Sequence, residues 1–309
     1  MKCLVTGGAG FIGSHIVEAL VQRGDAVRVL DNLSTGRQDN LKLFGPQIEF
    51  IEGDLREKKD LDRAVAGVEV IFHQAALRSV PRSIDDPAAT NDVNITGTLN
   101  LLLAARKAAV RRVIYASSSS SYGDQKTFPH VETMRPSPLS PYAVAKLSAE
   151  LYCVMFSRTL GLETVSLRYF NVFGPRQHPD SQYAAVIPKF MLAAKTGVPL
   201  EVHSDGKQSR DFTYIANVVH ANLLAAEKPK AAGEFFNIAC GKNYSLLDLV
   251  STLERFVGHK LERRHSPARS GDVRKTWANI GKARRLLGYK PLVGWEEGLK
   301  RTWEWFNRA

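Results

Sequence analysis

Cysteine is scarce. The 309-residue chain has three, Cys3, Cys153 and Cys240, scattered along its length. That spacing makes neither a zinc pattern nor a disulfide framework, and it suits a reducing compartment. No apolar run reaches the roughly 18 residues needed to cross a bilayer. The opening Met1-Lys2-Cys3-Leu4-Val5-Thr6-Gly7 reads as a buried strand entering a turn, not as a cleavable leader. There is no internal repeat and no low-complexity linker. No lysine- or arginine-rich run carries the interleaved aromatics of a nucleic-acid platform. The expectations are a cytoplasmic protein with no metal, no membrane association and no nucleic-acid partner.

What remains is an ordinary globular composition, with 44% hydrophobic and 24% charged residues. The length allows a large core in one or two units. Net charge is +11, from 42 basic and 31 acidic residues. From Arg255 onward there are 14 Lys/Arg against 5 Asp/Glu. Such a region can attract an anionic small substrate.

The first half alternates strand and helix patterns. Strands are expected at Lys2–Thr6, Ala26–Leu30, Glu49–Ile51, Val68–Phe72, Val113–Tyr115 and Thr164–Arg168. Helices are expected at Phe11–Arg23, Leu61–Ala66, Asn94–Ala109 and Pro141–Leu160. This alternation argues for an α/β fold with a doubly wound parallel sheet. Beyond Arg168 the pattern loosens. Helices are expected at Ile187–Thr196, Leu246–Val257 and Ile280–Leu287, with an apolar strand at Phe235–Ala239 able to rejoin the sheet. The expected division is a dinucleotide-binding domain over 1–170, with a returning segment near 211–240, and a smaller interleaved C-terminal substrate lobe from 171–210 and 241–309.

The turn after the first strand reads Thr6-Gly7-Gly8-Ala9-Gly10-Phe11-Ile12-Gly13. Glycines at Gly7, Gly10 and Gly13 between a strand and a helix permit close approach of a pyrophosphate. The helix N-terminus then offers free N–H groups and a positive dipole end. Asp31 ends the second strand, 18 residues after Gly13. A carboxylate there accepts from ribose hydroxyls and repels a 2′-phosphate, which favours NAD over NADP despite nearby Arg37. Asp54 follows the third strand, placed to meet the adenine edge. Ala75 and Ala76 follow the fourth, where small side chains let a cofactor lie against the backbone.

Tyr142 and Lys146 stand four residues apart in Ser140-Pro141-Tyr142-Ala143-Val144-Ala145-Lys146. On a helix that spacing stacks both on one face. An ammonium beside a phenol favours the phenolate, so Lys146 is expected to lower the Tyr142 pKa toward neutrality. Such a tyrosine can serve as general base and then general acid.

Together, the glycine turn, Asp31, the five-serine run Ser117–Ser121 before Tyr122-Gly123, and Tyr142-x-x-x-Lys146 resemble the extended short-chain dehydrogenase/reductase superfamily, a Rossmann fold. The resemblance runs from Lys2 to about Gly288. His73-Gln74-Ala75-Ala76, Ser79-Val80-Pro81-Arg82-Ser83, Leu167-Arg168-Tyr169-Phe170-Asn171 and Ser209-Arg210-Asp211-Phe212 narrow it to nucleotide-sugar epimerases, most like the UDP-N-acetylglucosamine and UDP-glucose 4-epimerases. The resemblance implies a tightly held NAD touched by Gly7, Gly10, Phe11, Ile12, Gly13, Asp31, Asn32, Thr35, Gly36, Asp54, Leu55, Gln74, Ala75, Ala76, Tyr142, Lys146 and Phe170, the last against the nicotinamide. It implies Tyr142 as acid/base, Lys146 as its electrostatic partner and Ser118 on the sugar 4-hydroxyl. Ser119, Ser120, Arg78 and Val186 would contact substrate. Asn171, Arg210 and Arg269 would hold the diphosphate, where arginine forks suit phosphate oxygens. Asp272 would hold the uridine ribose. The helices 94–109 and 141–160 would pair across a homodimer.

A related dehydratase would carry an acidic pair where Ser119-Ser120 stands, and a decarboxylase an acidic residue near the serine. A UDP-glucuronate epimerase is the other alternative, with Arg78 on the carboxylate. A non-catalytic NAD-binding scaffold would be expected to lose Tyr142 or Lys146. The resemblance also implies that Thr276, four residues after Asp272, gates the sugar C2 pocket, where its small side chain leaves room for an N-acetyl group.

Overall fold

The computed structural model describes residues 1–179, 185–267 and 273–308. Strand β1 (Lys2–Thr6) feeds helix α1 (Phe11–Gln22), then β2 (Ala26–Asp31) and β3 (Ile48–Glu52). Next come α2 (Lys58–Val65), β4 (Val70–His73) and the short helices α3 (Val80–Asp85) and α4 (Pro87–Asn91). Helix α5 (Gly97–Lys107), β5 (Arg112–Ser118), α6 (Pro141–Thr159) and β6 (Glu163–Tyr169) follow. The strands are apolar because helices bury both faces of their sheet. Their order is β3-β2-β1-β4-β5-β6, extended by a seventh strand from later in the chain. All neighbours in the sheet are parallel. The order reverses between β1 and β4, and the crevice at such a switch is where doubly wound sheets take ligands.

The second half supplies β7 (Val172–Phe173), α7 (Val186–Thr196), β8 (Leu200–His203), β9 (Ser209–Arg210), β10 (Thr213–Tyr214) and α8 (Ile215–Glu227). It continues through β11 (Glu234–Ile238), β12 (Tyr244–Ser245), α9 (Leu246–Val257), β13 (Arg263–Ser266), α10 (Gly281–Leu287) and α11 (Trp295–Arg308). Strand β11 joins the sheet beside β6, as its apolar pattern implied. Three two-stranded pairs, β7–β10, β8–β13 and β9–β12, build the region over the C-terminal strand ends.

Several elements depart from expectation. The helix expected over 94–109 begins as a π-helical turn at Asp92–Thr96 before α5. That turn aims the buried Asn94 side chain at the backbone of Leu77, which it grips from both sides: Leu77 N–H donates to Asn94 Oδ1 at 2.8 Å, and Asn94 Nδ2 donates to Leu77 O at 2.9 Å. Four helices among the described residues lie outside the expectations altogether, the short α3 and α4 and the longer α8 and α11. Helix α8 packs against β5, β6 and α1. Its buried Asn217 and Asn222 interrupt the apolar pattern, yet both are satisfied, Asn217 by the backbone of Leu292 and Val293 and Asn222 by Tyr169. Helix α11 buries Trp295, Leu299, Thr302 and Phe306, a helical spacing.

One buried ion pair ties the sheet to the helix behind the crevice. Arg168 on β6 meets Glu150 on α6 through two hydrogen bonds, at 2.6 and 2.9 Å, with both side chains 2% exposed. Ser117 on β5 adds a third bond to the same carboxylate at 2.7 Å. The guanidinium lies between the rings of Tyr122 and Phe235, at 4.7 and 4.5 Å. Removing one partner strands the other charge in the interior. Glu150→Leu should therefore cost about 3–5 kcal/mol in urea unfolding. The double variant Glu150→Leu/Arg168→Met should recover most of that loss. A double variant as unstable as the single one would show that the stranded charge is not the cause.

Candidate active site

The crevice above β1 and β4 is built first from backbone. Gly7 sits at φ +68°, and a Cβ there would stand 2.6 Å from Ala75 N. At Gly13 a Cβ would meet Gly7 O at 2.1 Å. Strand β1, α1 and the Gln74–Ala76 segment thus pack too closely for side chains, leaving a trough of bare main chain. Gly10 is the N-cap of α1 and no side chain caps it, so the positive end of a 12-residue helix faces the trough unneutralised. A pyrophosphate fits this arrangement.

The trough's walls match the NAD contacts implied by the sequence. Gly7, Gly10, Phe11, Ile12, Gly13, Asp31, Asn32, Thr35, Gly36, Asp54, Leu55, Gln74, Ala75, Ala76, Tyr142 and Lys146 all line it. Asp31 is buried and accepts from Ala9 N and Leu33 N, both at 2.9 Å. Burial nevertheless pushes its pKa above the ordinary value. Asp54 is less free than expected. It accepts from Asn32 Nδ2 at 2.8 Å and from the Arg56 guanidinium at 2.9 Å on each oxygen. Those Arg56 bonds hold its carboxyl well below the usual range. Phe170 is a correction. It is fully buried against Tyr122 and His130, and its neighbour Tyr169 lines the cleft instead. Strand alternation separates the two residues.

Helix α6 delivers Tyr142 and Lys146. Ser140 caps its start, its Oγ accepting from Ala143 N at 3.2 Å, with Pro141 in the first turn. Lys146 is 4% exposed, donates to Ala116 O at 2.7 Å and lies 4.9 Å from the centre of the Tyr115 ring. Burial pushes its pKa down to about 7. The lysine was expected to pull Tyr142 down, and the structure differs. Burial raises the Tyr142 phenol above its ordinary value; a hydrogen bond from Ser118 and the charge of Arg78 oppose that rise.

The serine run divides its work. Ser117 serves the Glu150–Arg168 pair. Ser118 ends β5 and lines the same cavity as Tyr142, accepting from Ser120 N at 3.1 Å and Ser120 Oγ at 2.8 Å. Accepting twice leaves its own proton for the phenol. Ser118, Ser119 and Ser120 line a second cavity with Tyr142, Arg78, Asn171, Arg210 and Thr276. Asn171 has φ +36°, and its Nδ2 donates to Thr276 Oγ1 at 2.8 Å and to Asp211 O at 3.2 Å. A third cavity continues past Asn171 and Arg210 to Val186 on α7. Arg269 and Asp272 lie outside the described residues.

Two positioning residues escaped the sequence reading. Asn94 fixes the loop carrying Arg78. Asp211 is fully buried and accepts from Cys240 N, Gly241 N and Ala278 N at 2.9–3.2 Å, pinning the chain after β11 to the Thr276 segment. A lone polar residue in either sequence context gives no such signal.

Among the described residues no group of His, Cys, Asp or Glu could hold a metal, and no helix is long and apolar enough to cross a membrane.

Comparison with known proteins agrees with this geometry. Residues 3–239 match the NAD dependent epimerase/dehydratase family. The UDP-glucose 4-epimerase of Thermotoga maritima, solved with UDP-glucose, superposes with a TM-score of 0.95 at 41% identity, covering 100% of this chain and 99% of that one. The UDP-N-acetylglucosamine 4-epimerase of Methanobrevibacter ruminantium, in complex with UDP-N-acetylmuramic acid, gives 0.95 at 38%, covering 99% and 98%. The UDP-glucuronic acid 4-epimerase of Bacillus cereus, with UDP-glucuronic acid and NAD, gives 0.93 at 34%, covering 100% and 99%. The chain belongs to the NAD dependent epimerase/dehydratase family, among its nucleotide-sugar 4-epimerases, and is an NAD-dependent isomerase.

Proposed function

We propose that the chain interconverts UDP-N-acetylglucosamine and UDP-N-acetylgalactosamine by inversion at C4, and that it also accepts the UDP-glucose/UDP-galactose pair. One observation carries the reading. The cavity where Tyr142 and Ser118 meet is walled by hydroxyls, amides, apolar groups and the side chains of Arg78 and Arg210, and no carboxylate lines it among the described residues. Elimination of water needs a carboxyl acid and base beside the sugar. Oxidation and re-reduction at one carbon need only a proton shuttle and a hydride acceptor.

The roles follow from position. Ser118 donates to the Tyr142 oxygen and stabilises the phenolate. The phenolate takes the proton of the sugar 4-hydroxyl. NAD held in the trough would supply the acceptor for the C4 hydride and the donor for its return, which leaves the chain's residues to present the opposite face of the 4-keto sugar. Tyr142 then gives its proton back to the C4 oxygen, forming the new 4-hydroxyl. Asn171 and Arg210, with Arg269, hold the diphosphate about which the keto sugar turns. Lys146 would meet a ribose of bound NAD, Val186 the substrate and Asp272 the uridine ribose. A closed site limits loss of the keto intermediate.

Thr276 carries the choice of sugar. It is small, and its side chain reaches the cavity that holds Tyr142. A UDP-hexuronate reading rests on Arg78 in the same cavity. Exposed apolar residues on α5 and α6, Leu103 (50%), Val144 (46%) and Leu151 (59%), support a homodimer joined through these helices.

Purified enzyme, without added NAD, should convert each acetylated UDP-sugar to its 4-epimer with no net NADH. A pentose product, or a stable 4-keto product, would overturn the proposal. Thr276→Tyr should lower kcat/KM on acetylated sugars at least about tenfold more than on unacetylated ones, the scale of steric discrimination at a pocket. Thr276→Ser, which keeps the hydroxyl toward Asn171, serves as control. Equal loss on both sugar types would sink the Thr276 assignment.

Light scattering should give twice the 34.2 kDa chain mass, and Leu151→Glu should halve it. A native protein already monomeric would remove the dimer.

A further inference from the structure

His73 closes β4, 1% exposed at the end of an otherwise apolar strand. An imidazole without partners would be costly there, since burial strips its polar atoms of water. Both ring nitrogens are partnered. Nδ1 lies 2.7 Å from Thr6 Oγ1 at the end of β1, and Nε2 lies 2.9 Å from Thr98 Oγ1 on α5. Thr98 Oγ1 donates to Asn94 O at 2.7 Å, and Thr6 Oγ1 accepts from Ala75 N at 3.3 Å. All four side chains are buried. The two ends of this chain fix every proton in it. Asn94 O only accepts, so the Thr98 hydroxyl uses its one proton there. Thr98 then offers His73 a lone pair, and Nε2 must carry the ring proton. Nδ1 is left bare and takes the proton of Thr6. A charged ring would turn a second N–H toward Thr6 and deprive that hydroxyl of its acceptor. Burial also keeps the ring neutral, pushing its pKa down to about 3, with the Lys146 charge acting in the same sense.

The donors therefore all point one way, from Ala75 through Thr6, His73 and Thr98 to Asn94, and bonds aligned in series strengthen one another. The chain ties together three walls of the cofactor trough. Thr6 precedes Gly7, where the backbone comes so close to Ala75 N that a Cβ would stand 2.6 Å from it. Gln74 N donates to Thr6 O at 3.0 Å. Asn94 grips Leu77 through two hydrogen bonds. Gly7, Gln74, Ala75 and Leu77 all line the trough. We propose that His73, as its Nε2–H tautomer, is a positioning residue for the cofactor: it holds the glycine turn, the segment 74–77 and the start of α5 at the one spacing that retains NAD. The acid/base reading of Tyr142 uses none of these bonds, and the inference rests on the NAD trough, not on the choice of sugar.

The rate of NAD release from the full-length holoenzyme tests this without any sugar substrate, the freed NAD being trapped by a scavenging dehydrogenase. Thr98→Val keeps the side-chain shape and deletes the hydroxyl. His73→Phe keeps a ring and deletes both nitrogens. Each should speed release at least about tenfold, because a broken buried chain leaves its other members unsatisfied. Thr98→Ser restores the hydroxyl and should stay within about twofold of wild type. The double variant His73→Phe/Thr98→Val should release NAD no faster than the worse single variant, since groups in one network are not additive. In imidazole-nitrogen NMR spectra of the wild type, the signal that disappears in His73→Phe should show a protonated Nε2 and a bare Nδ1. Release unchanged in both single variants, a Thr98→Ser protein that loses NAD as fast as Thr98→Val, an additive double variant, or the Nδ1–H tautomer would each overturn the proposal. Should His73→Phe fail to fold, the contrast between Thr98→Val and Thr98→Ser still decides it. None of these outcomes depends on which sugar the enzyme epimerises, so the proposed substrate stands or falls separately.

Discussion

The seating of α6 on the sheet governs the candidate site. Tyr142, Lys146 and Glu150 recur every fourth residue along that helix, one stripe facing β5. The last member is locked: Glu150 takes Arg168 from β6 and Ser117 from β5. A rotation or slide of α6 that moved Tyr142 off the crevice would have to break this buried cluster, a large cost for one ion pair. The same strand ends that anchor the helix also present the site. β5 gives Ser117 to the anchor and Ser118 to the phenol, and β6 gives Arg168 to the anchor and Tyr169 to the cleft. Anchor and reacting groups therefore move as one body.

Burial acts on both members of the helix pair, and not always in a useful direction. It raises Tyr142, against the phenolate that proton abstraction needs, and it lowers Lys146. A helix-face spacing of Tyr and Lys cannot show this, because the sign of the net shift depends on how much water the fold removes. Polar neighbours decide how much of the penalty is offset. Ser118, itself an acceptor for Ser120, keeps its own proton available, and its influence on the phenol opposes the rise.

Much of this was legible from sequence. Apolar runs found the parallel strands and the returning β11, and the glycine spacing found the trough. The strand–helix alternation implied a doubly wound parallel sheet, while the order of its strands is visible only in the structure. What escaped depends on side chains acting across the fold. Helix α8 hides behind two buried asparagines whose partners lie on β6 and near Val293. The start of α5 is a π-turn because Asn94 reaches Leu77, a contact no local pattern encodes. Phe170 and Tyr169 are adjacent aromatics, so only the strand's orientation tells which one meets the cleft.

The sugar pocket and the diphosphate grip are not independent. Thr276 Oγ1 accepts from Asn171 Nδ2 and, at 3.3 Å, from Asp211 N. One hydroxyl thus fixes the amide proposed to hold the diphosphate, at a backbone position with φ +36° that a looser neighbour would not sustain. Asp211 extends the link through its carboxylate to the chain after β11 and to Ala278. A residue at 276 is consequently chosen for two properties together, small volume toward the sugar and a hydroxyl toward Asn171. Serine and threonine meet both, alanine and valine only the first. Tyrosine carries a hydroxyl, but at the far end of a ring, where it fills the pocket instead of bonding Asn171. On the proposed roles, accommodation of a bulky C2 substituent and retention of the diphosphate pivot would be set by the same side chain.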